Sequence, residues 1–123
     1  YLEDMASAYA VADMVLCRAG ASTLSEIALC GIPAILVPYP YSAAGHQEFN
    51  AKTVAKEGAA CVILEHALTD EILVQTVTEL LNNPDKRKAM SNAALKLAKP
   101  HAASDIVDKI ETLIKNQADV SRA

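Results

Sequence analysis

Three short apolar segments that alternate with longer helical patterns constrain the fold most strongly. They are residues 14–17 (MVLC), 34–37 (AILV) and 61–64 (CVIL). Each segment is apolar at consecutive positions, which is typical of strands that are covered on both faces. Strands that alternate with helices along a chain form parallel sheets with right-handed connections. We therefore predict an α/β fold in which a parallel sheet carries helices on both faces.

Helical periodicity occupies the rest of the chain. We predict helices over residues 2–12, 23–30, 46–57, about 69–81, 83–99 and from about 104. Gly31 and Gly58 are expected to end helices, whereas Thr69 and Asn83 are expected to cap the starts of two others. The predicted domain spans residues 1–115, and residues 116–123 are expected to form a polar, frayed tail.

Three strands are few for this architecture. The chain also begins without Met, in what reads as the middle of an element. Both features predict that the chain is part of a larger domain whose first strands precede it. In that case the strand at residues 14–17 becomes an exposed edge, and an exposed apolar edge favours self-association.

Composition excludes several classes of protein. A net charge of −4 with 11 Lys and Arg residues lacks the cationic surplus of a nucleic-acid-binding protein. Cys17, Cys30 and Cys61 cannot form a closed disulfide set, and their apolar surroundings predict buried thiols in a reduced, cytoplasmic compartment. The sequence contains no Cys/His cluster of the kind that would indicate a metal site. The uncharged stretch 27–45 contains prolines that would break a membrane-spanning helix.

The loop after the first predicted strand is one candidate site, because ligands of open α/β sheets bind beyond the carboxyl ends of the strands. Residues 18–26 (RAGASTLSE) are mostly small and lead into a helix. Small residues let a ligand approach the backbone, and a helix N-terminus favours an anion or a polar sugar edge. Glu26 could hold a ribose diol. The alternative is that Thr23 and Glu26 form only a capping box.

The loop after the second predicted strand is the other candidate site. Here His46, Gln47 and Asn50 open a helix. Amide side chains suit sugar hydroxyls because they offer both a donor and an acceptor. The alternative is that His46 or Gln47 caps the helix and that Asn50 is a solvated surface residue. The glycines do not spell GxGxxG, so no dinucleotide cofactor is predicted.

Both loops carry a resemblance to a known family. The segments RAGASTLSE (18–26), GIPAILVP (31–38) and HQEFNA (46–51) resemble the family 28 glycosyltransferases of bacterial peptidoglycan synthesis. The resemblance covers essentially the whole chain. It implies a Rossmann-like domain that is part of the C-terminal half of a GT-B glycosyltransferase. It also implies transfer of N-acetylglucosamine from UDP-N-acetylglucosamine to lipid I, which gives lipid II with inversion at the anomeric carbon.

The resemblance also assigns donor-binding residues. It implies that the backbone at Leu2 meets the uracil and that Glu26 accepts hydrogen bonds from the ribose. Gln47, and with it Asn50, would bind the 3- and 4-hydroxyls of the sugar. The full set that the resemblance assigns to the donor is Leu2, Ala21, Ser22, Thr23, Leu24, Ser25, Glu26, Gln47 and Asn50.

The resemblance places the remaining machinery outside this chain. The family's Gly-rich diphosphate loop would precede Tyr1, and the acceptor site, general base and membrane-facing patch would lie in a missing N-terminal domain. We therefore expect no catalytic residue here, no activity of the chain alone, and contact with lipid I and the cytoplasmic face of the inner membrane only through the parent protein. The alternatives are a stand-alone nucleotide-sugar-binding subunit and a nonenzymatic nucleotide-binding module that needs a partner.

Overall fold

Strands and helices alternate along the chain as predicted. The structure, a computed structural model, describes the backbone of residues 3–122 and the side chains of residues 3–117. Two short 3₁₀ turns, Ala43–Gly45 and Glu65–Ala67, follow the second and third strands. The elements are α1 (Met5–Val11), β1 (Val15–Cys17), α2 (Ala21–Cys30), β2 (Ala34–Leu36), α3 (His46–Lys56), β3 (Ala60–Val62), α4 (Asp70–Leu81), α5 (Pro84–Leu97) and α6 (Ala102–Arg122).

The strands form one parallel sheet in the order β1-β2-β3. The register pairs Leu16 with Ile35 and Ile35 with Cys61. The central strand, β2, has no exposed surface at any of its residues. The α/β fold and the parallel pairing predicted from the apolar segments are therefore confirmed.

Helices cover both faces of the sheet at β2. Because side chains alternate along a strand, Leu36 and Ile35 point to opposite faces. Leu36 packs in a buried cluster with residues of α2 and α3. Ile35 packs in a second cluster with Leu80 of α4 and Met90 of α5. The sheet thus separates two apolar cores.

The first strand lies at the edge of the sheet, as predicted. Val15 and Cys17 pack against the cluster beneath α2 and α3. Leu16 points to the other face, where 51% of its surface is exposed. The expectation that every strand is covered on both faces is therefore wrong for β1. The helices on that face, α4 and α5, follow β3 along the chain and pack against Ile35 of the central strand.

The local signals for helix ends are confirmed. Gly31 ends α2 in the left-handed conformation, with φ of 63°, and the N–H of Ile32 donates back to Ile27 across 3.0 Å. The side chains of Thr69 and Asn83 accept hydrogen bonds from the first turns of α4 and α5. Each of these contacts satisfies a backbone group that the helix leaves unpaired.

Several element boundaries differ from the prediction, among them those of the second helix, the third strand and the last helix. The second helix begins at Ala21 rather than residue 23, because Gly20 occupies the cap position in extended conformation. The third strand covers residues 60–62 rather than 61–64. The last helix continues to Arg122 instead of giving way to a tail at residue 116. Every side chain described in α6 is exposed.

Two further features concern membranes and thiols. In the described part of the chain, no helix is both long and apolar enough to cross a membrane. All three cysteines are free thiols. The prediction that they are buried is wrong for Cys30, which is exposed, whereas Cys17 and Cys61 are half-buried. Burial raises the pKa of the Cys17 thiol.

Candidate functional site

Gln47 joins the loops that follow β1 and β2. Its side-chain oxygen Oε1 accepts hydrogen bonds from the N–H of Ala19, at 3.2 Å, and from the N–H of Tyr39, at 2.9 Å. Because both partners are donors, this end of the amide must be the oxygen. The two sequence motifs singled out above therefore meet at the carboxyl ends of neighbouring parallel strands.

The start of α3 leaves the Gln47 side chain available for these contacts. Gly45 precedes the helix in the left-handed conformation, with φ of 68°. The hydroxyl of Ser42 accepts a hydrogen bond from the N–H of Gln47 across 3.2 Å. The alternative in which His46 or Gln47 caps the helix with its side chain is therefore wrong. His46 is exposed to solvent.

The N-terminus of α2 lies at the same edge of the sheet. The first intrahelical bond runs from the N–H of Leu24 to the carbonyl of Gly20, at 3.0 Å. The N–H groups of Ala21, Ser22 and Thr23 therefore have no partner within the helix. Such groups, with the helix dipole, give this end of α2 a partial positive charge. The hydroxyl of Ser25 donates instead to the carbonyl of Ala21, across 3.0 Å.

The structure contradicts the capping-box alternative for Thr23 and Glu26. A capping box requires Thr23 to precede the helix, but Gly20 holds that position. Glu26 lies in the second turn and is exposed. Its Oε2 accepts a hydrogen bond from the hydroxyl of Tyr9, which lies 3.0 Å away in α1. Partial burial and this contact with Glu26 raise the pKa of Tyr9.

Asn50 shares a groove with the N-terminus of α2. The groove has a volume of about 240 Å³, and Ala21, Leu24, Phe49 and Asn50 contribute to its walls. Asn50 is half-buried there, whereas Phe49 is 72% exposed. Asn50 is therefore not the fully solvated residue of the alternative interpretation. The groove is thus a second place, besides the contacts of Gln47, where residues 46–51 lie beside residues 18–26.

The predicted donor residues thus fall into separate groups. Gln47 contacts the loop before α2, and Asn50 lies across a groove from Ala21 and Leu24. Glu26 lies on the side of α2 that contacts α1. Ser22 and Ser25 are exposed, and Thr23 is half-buried, in the first turns of α2. Leu2 lies outside the described residues.

Arg18 and Glu65 form a contact that the sequence analysis missed. Their side chains pair as guanidinium and carboxylate. Arg18 Nη1 also donates to the carbonyls of Val37, at 3.2 Å, and Pro38, at 3.4 Å. The hydrogen bond that Arg18 donates to Glu65 holds the pKa of the Glu65 carboxyl below its usual value. The same bond raises the pKa of Arg18. The pair links residues 47 positions apart, so no local pattern could have indicated it.

The site offers hydrogen-bonding groups rather than metal ligands. Within the described residues, no three His, Cys, Asp or Glu side chains lie close enough together to hold a metal ion. The groups that meet at this edge are backbone N–H donors, an amide and a helix N-terminus, and the Glu26 carboxylate lies on the side of α2 that contacts α1. This set can recognise hydroxyls and negative charge.

Comparisons with known proteins agree on one family. Residues 1–110 match the glycosyltransferase family 28 C-terminal domain. A protein of Desulfitobacterium hafniense is 51% identical over 108 residues, which cover 88% of this chain and 29% of that protein. A protein of Desulforamulus reducens is 44% identical over 117 residues, which cover 95% of this chain and 32% of that protein. Both are named UDP-N-acetylglucosamine–N-acetylmuramyl-(pentapeptide) pyrophosphoryl-undecaprenol N-acetylglucosamine transferase.

A solved structure shows the same architecture. The crystal structure of Acinetobacter baumannii MurG aligns with 91% of this chain at a TM-score of 0.84 and 40% identity. The alignment covers 32% of the MurG chain. The chain therefore spans about a third of the length of the relatives that it matches.

Proposed function

The chain belongs to the glycosyltransferase family 28 C-terminal domain family, and on that premise we propose that it is the part of a transferase that binds the donor UDP-N-acetylglucosamine. The whole protein would transfer N-acetylglucosamine to lipid I and so make lipid II for peptidoglycan. One observation carries the proposal. The Gln47 oxygen bonds to the loops after two parallel strands, which brings both motifs to the edge where α/β folds bind ligands.

Each part of the donor has a chemically suited partner in this proposal. The N-terminus of α2 is suited to the negative diphosphate or a polar edge of the sugar. Tyr9 donates to one carboxylate oxygen of Glu26, and the other oxygen would accept a hydrogen bond from a ribose hydroxyl. The Gln47 oxygen is already used twice, so its amide nitrogen would donate to a sugar hydroxyl. Asn50 would contact the same sugar from the groove beside Ala21.

We propose that the chain alone does not catalyse transfer. An inverting transfer needs a base for the acceptor hydroxyl and stabilisation of the departing UDP. The chain spans about a third of its relatives, so the acceptor site and the base would lie in the rest of the protein. That protein would work at the cytoplasmic face of the inner membrane, and this chain would contact neither lipid I nor the membrane by itself.

Titration of the chain with UDP-N-acetylglucosamine, followed by amide NMR, tests the proposal. We expect shifts clustered at residues 21–26 and 47–50. The variant Glu26→Gln should weaken binding about tenfold, as expected for the loss of one charge-assisted hydrogen bond. Glu57→Gln provides a matched control, because Glu57 is an exposed carboxylate at the far end of α3. The Glu57→Gln variant should bind the donor with the same affinity as the unaltered chain.

The 4-epimer, UDP-N-acetylgalactosamine, tests the assignment of the sugar. Its inverted hydroxyl should leave Gln47 or Asn50 without a partner, and such a mismatch discriminates strongly. We therefore expect weaker binding of the epimer and smaller shifts at residues 47–50. Equal binding of both sugars would contradict the roles of Gln47 and Asn50. Shifts spread evenly over a folded chain, or none at all, would contradict donor binding itself.

A further inference from the structure

One guanidinium group holds together the loops that follow all three strands. Arg18 lies directly after β1 and donates to the carbonyls of Val37 and Pro38, directly after β2. It also pairs with Glu65, which lies in the 3₁₀ turn after β3. Its Cζ atom lies 5.7 Å from the centre of the Tyr39 ring. The side chain therefore contacts every loop at the carboxyl edge of the sheet.

The same loops supply the two donors that meet at Gln47. Ala19, whose N–H donates to Gln47, is the next residue after Arg18. Tyr39, whose N–H also donates to Gln47, carries the ring beneath the guanidinium. Arg18 and Gln47 thus contact the same two backbone segments. A displacement of either loop would move a hydrogen-bond partner of the Gln47 oxygen.

We propose that Arg18 and Glu65 are positioning residues, whose ion pair sets the two loop N–H groups that orient Gln47. The consequence for the donor rests on the function proposed above, whereas the orientation of Gln47 does not. The side chains of Arg18 and Glu65 are 48% and 42% exposed. A pair that is this exposed adds little to global stability. Its effect is local, on the geometry of the loops.

Arginine suits the contacts at position 18. Its Nη1 reaches two carbonyls and Glu65, its Nη2 adds a second contact to Glu65, and the planar guanidinium also lies over the Tyr39 ring. A lysine carries one nitrogen at the end of a flexible stem. Arg18→Lys should therefore keep the charge beside Glu65 and lose part of the loop contacts.

Amide hydrogen exchange in the chain without ligand tests the positioning role directly. In Arg18→Gln and in Glu65→Gln we expect exchange at Ala19 and Tyr39 to rise about fivefold, the range expected when a half-exposed charged pair is lost. Arg18→Lys should give an intermediate increase. The amide of Leu36, in the buried central strand, should not change, since global stability is unaffected. The matched control is Lys86→Gln, which breaks the half-exposed pair of Lys86 in α5 with Glu79 in α4.

Donor titration of the same variants separates the two proposals. If positioning matters for binding, Arg18→Gln should weaken UDP-N-acetylglucosamine binding and reduce its preference over the 4-epimer, and Lys86→Gln should do neither. Unchanged exchange at Ala19 and Tyr39 in Arg18→Gln would overturn the positioning role, even if the unaltered chain binds the donor. Faster exchange in a chain that binds no donor would uphold the positioning role and contradict the proposed function. An Arg18→Gln variant that unfolds would overturn the inference if Glu65→Gln folds with unchanged exchange.

Discussion

At the scale of single residues, Gly31 meets two constraints that no other residue type satisfies. It ends α2 with φ of +63°, a conformation that costs L-residues about 1–2 kcal/mol. A Cβ atom at this position would also lie 2.8 Å from Cγ of Leu95 in α5. The absence of a side chain at position 31 therefore lets Leu95 of α5 pack against the C-terminal end of α2.

Substitution of this glycine should destabilise the chain more than substitution of Gly58. Gly58 also has a positive φ, of +80°, but a Cβ there would lie 4.0 Å from Ala93, an ordinary contact. We expect Gly58→Ala to lower the free energy of unfolding by about 1–2 kcal/mol, from backbone strain alone. Gly31→Ala should lower the free energy of unfolding by a similar backbone strain and by a further overpacking cost of about 1–3 kcal/mol. Urea denaturation measures both, and equal losses would contradict the close approach of Leu95.

Residue-level roles could be predicted where their partners are close in sequence. The caps Gly31, Thr69 and Asn83 follow from local chemistry, because each contacts its own helix. The partners of Gln47 could not be predicted in this way, since Ala19 lies 28 positions away. The contact of Tyr9 with Glu26 spans 17 positions. The motifs indicated which residues to consider, and only the fold shows what they touch.

At the scale of elements, apolar patterning predicted the order of strands and helices and missed some ends. The start of α2 was ambiguous because Gly20 and Thr23 are both acceptable capping residues. The extent of α6 could not be predicted, because a polar segment at the end of a sequence is typical of a frayed tail. Residues 116–122 contain neither glycine nor proline, so nothing in that segment interrupts a helix that has already formed.

The last helix should contribute little to the stability of the rest of the chain. Its apolar residues, including Ile110 at 51% exposure, are not covered by the other described elements. We therefore expect Ile110→Gln to change the free energy of unfolding by less than about 0.5 kcal/mol. The contrasting variant Leu80→Ala alters a residue of α4 that is 1% exposed, and it should cost about 2–5 kcal/mol. Thermal or urea unfolding compares the two, and a large loss in Ile110→Gln would show that α6 packs on the domain.

At the scale of the whole molecule, β2 lies between β1 and β3, and β1 leaves one edge of the sheet open. The N–H of Val15 donates to Pro33, and the carbonyl of Cys17 accepts from Val37, both at 2.9 Å. Because neighbouring residues of a strand direct their backbone groups to opposite sides, those of Leu16 face away from β2. The Leu16 side chain is half exposed as well. Such an edge is a template for another strand.

We therefore expect the isolated chain to self-associate through β1. Sedimentation velocity across a wide range of concentration should show species larger than the monomer. Leu16→Lys should shift the equilibrium towards the monomer, because a charged side chain on an edge strand disfavours pairing. The matched control is Val74→Lys, which replaces an apolar residue that is 63% exposed on α4 rather than on a strand. It should associate like the unaltered chain. A monomer at every concentration would contradict the expectation, and association that Ile110→Gln abolishes and Leu16→Lys does not would assign the contact to α6 instead of the open strand.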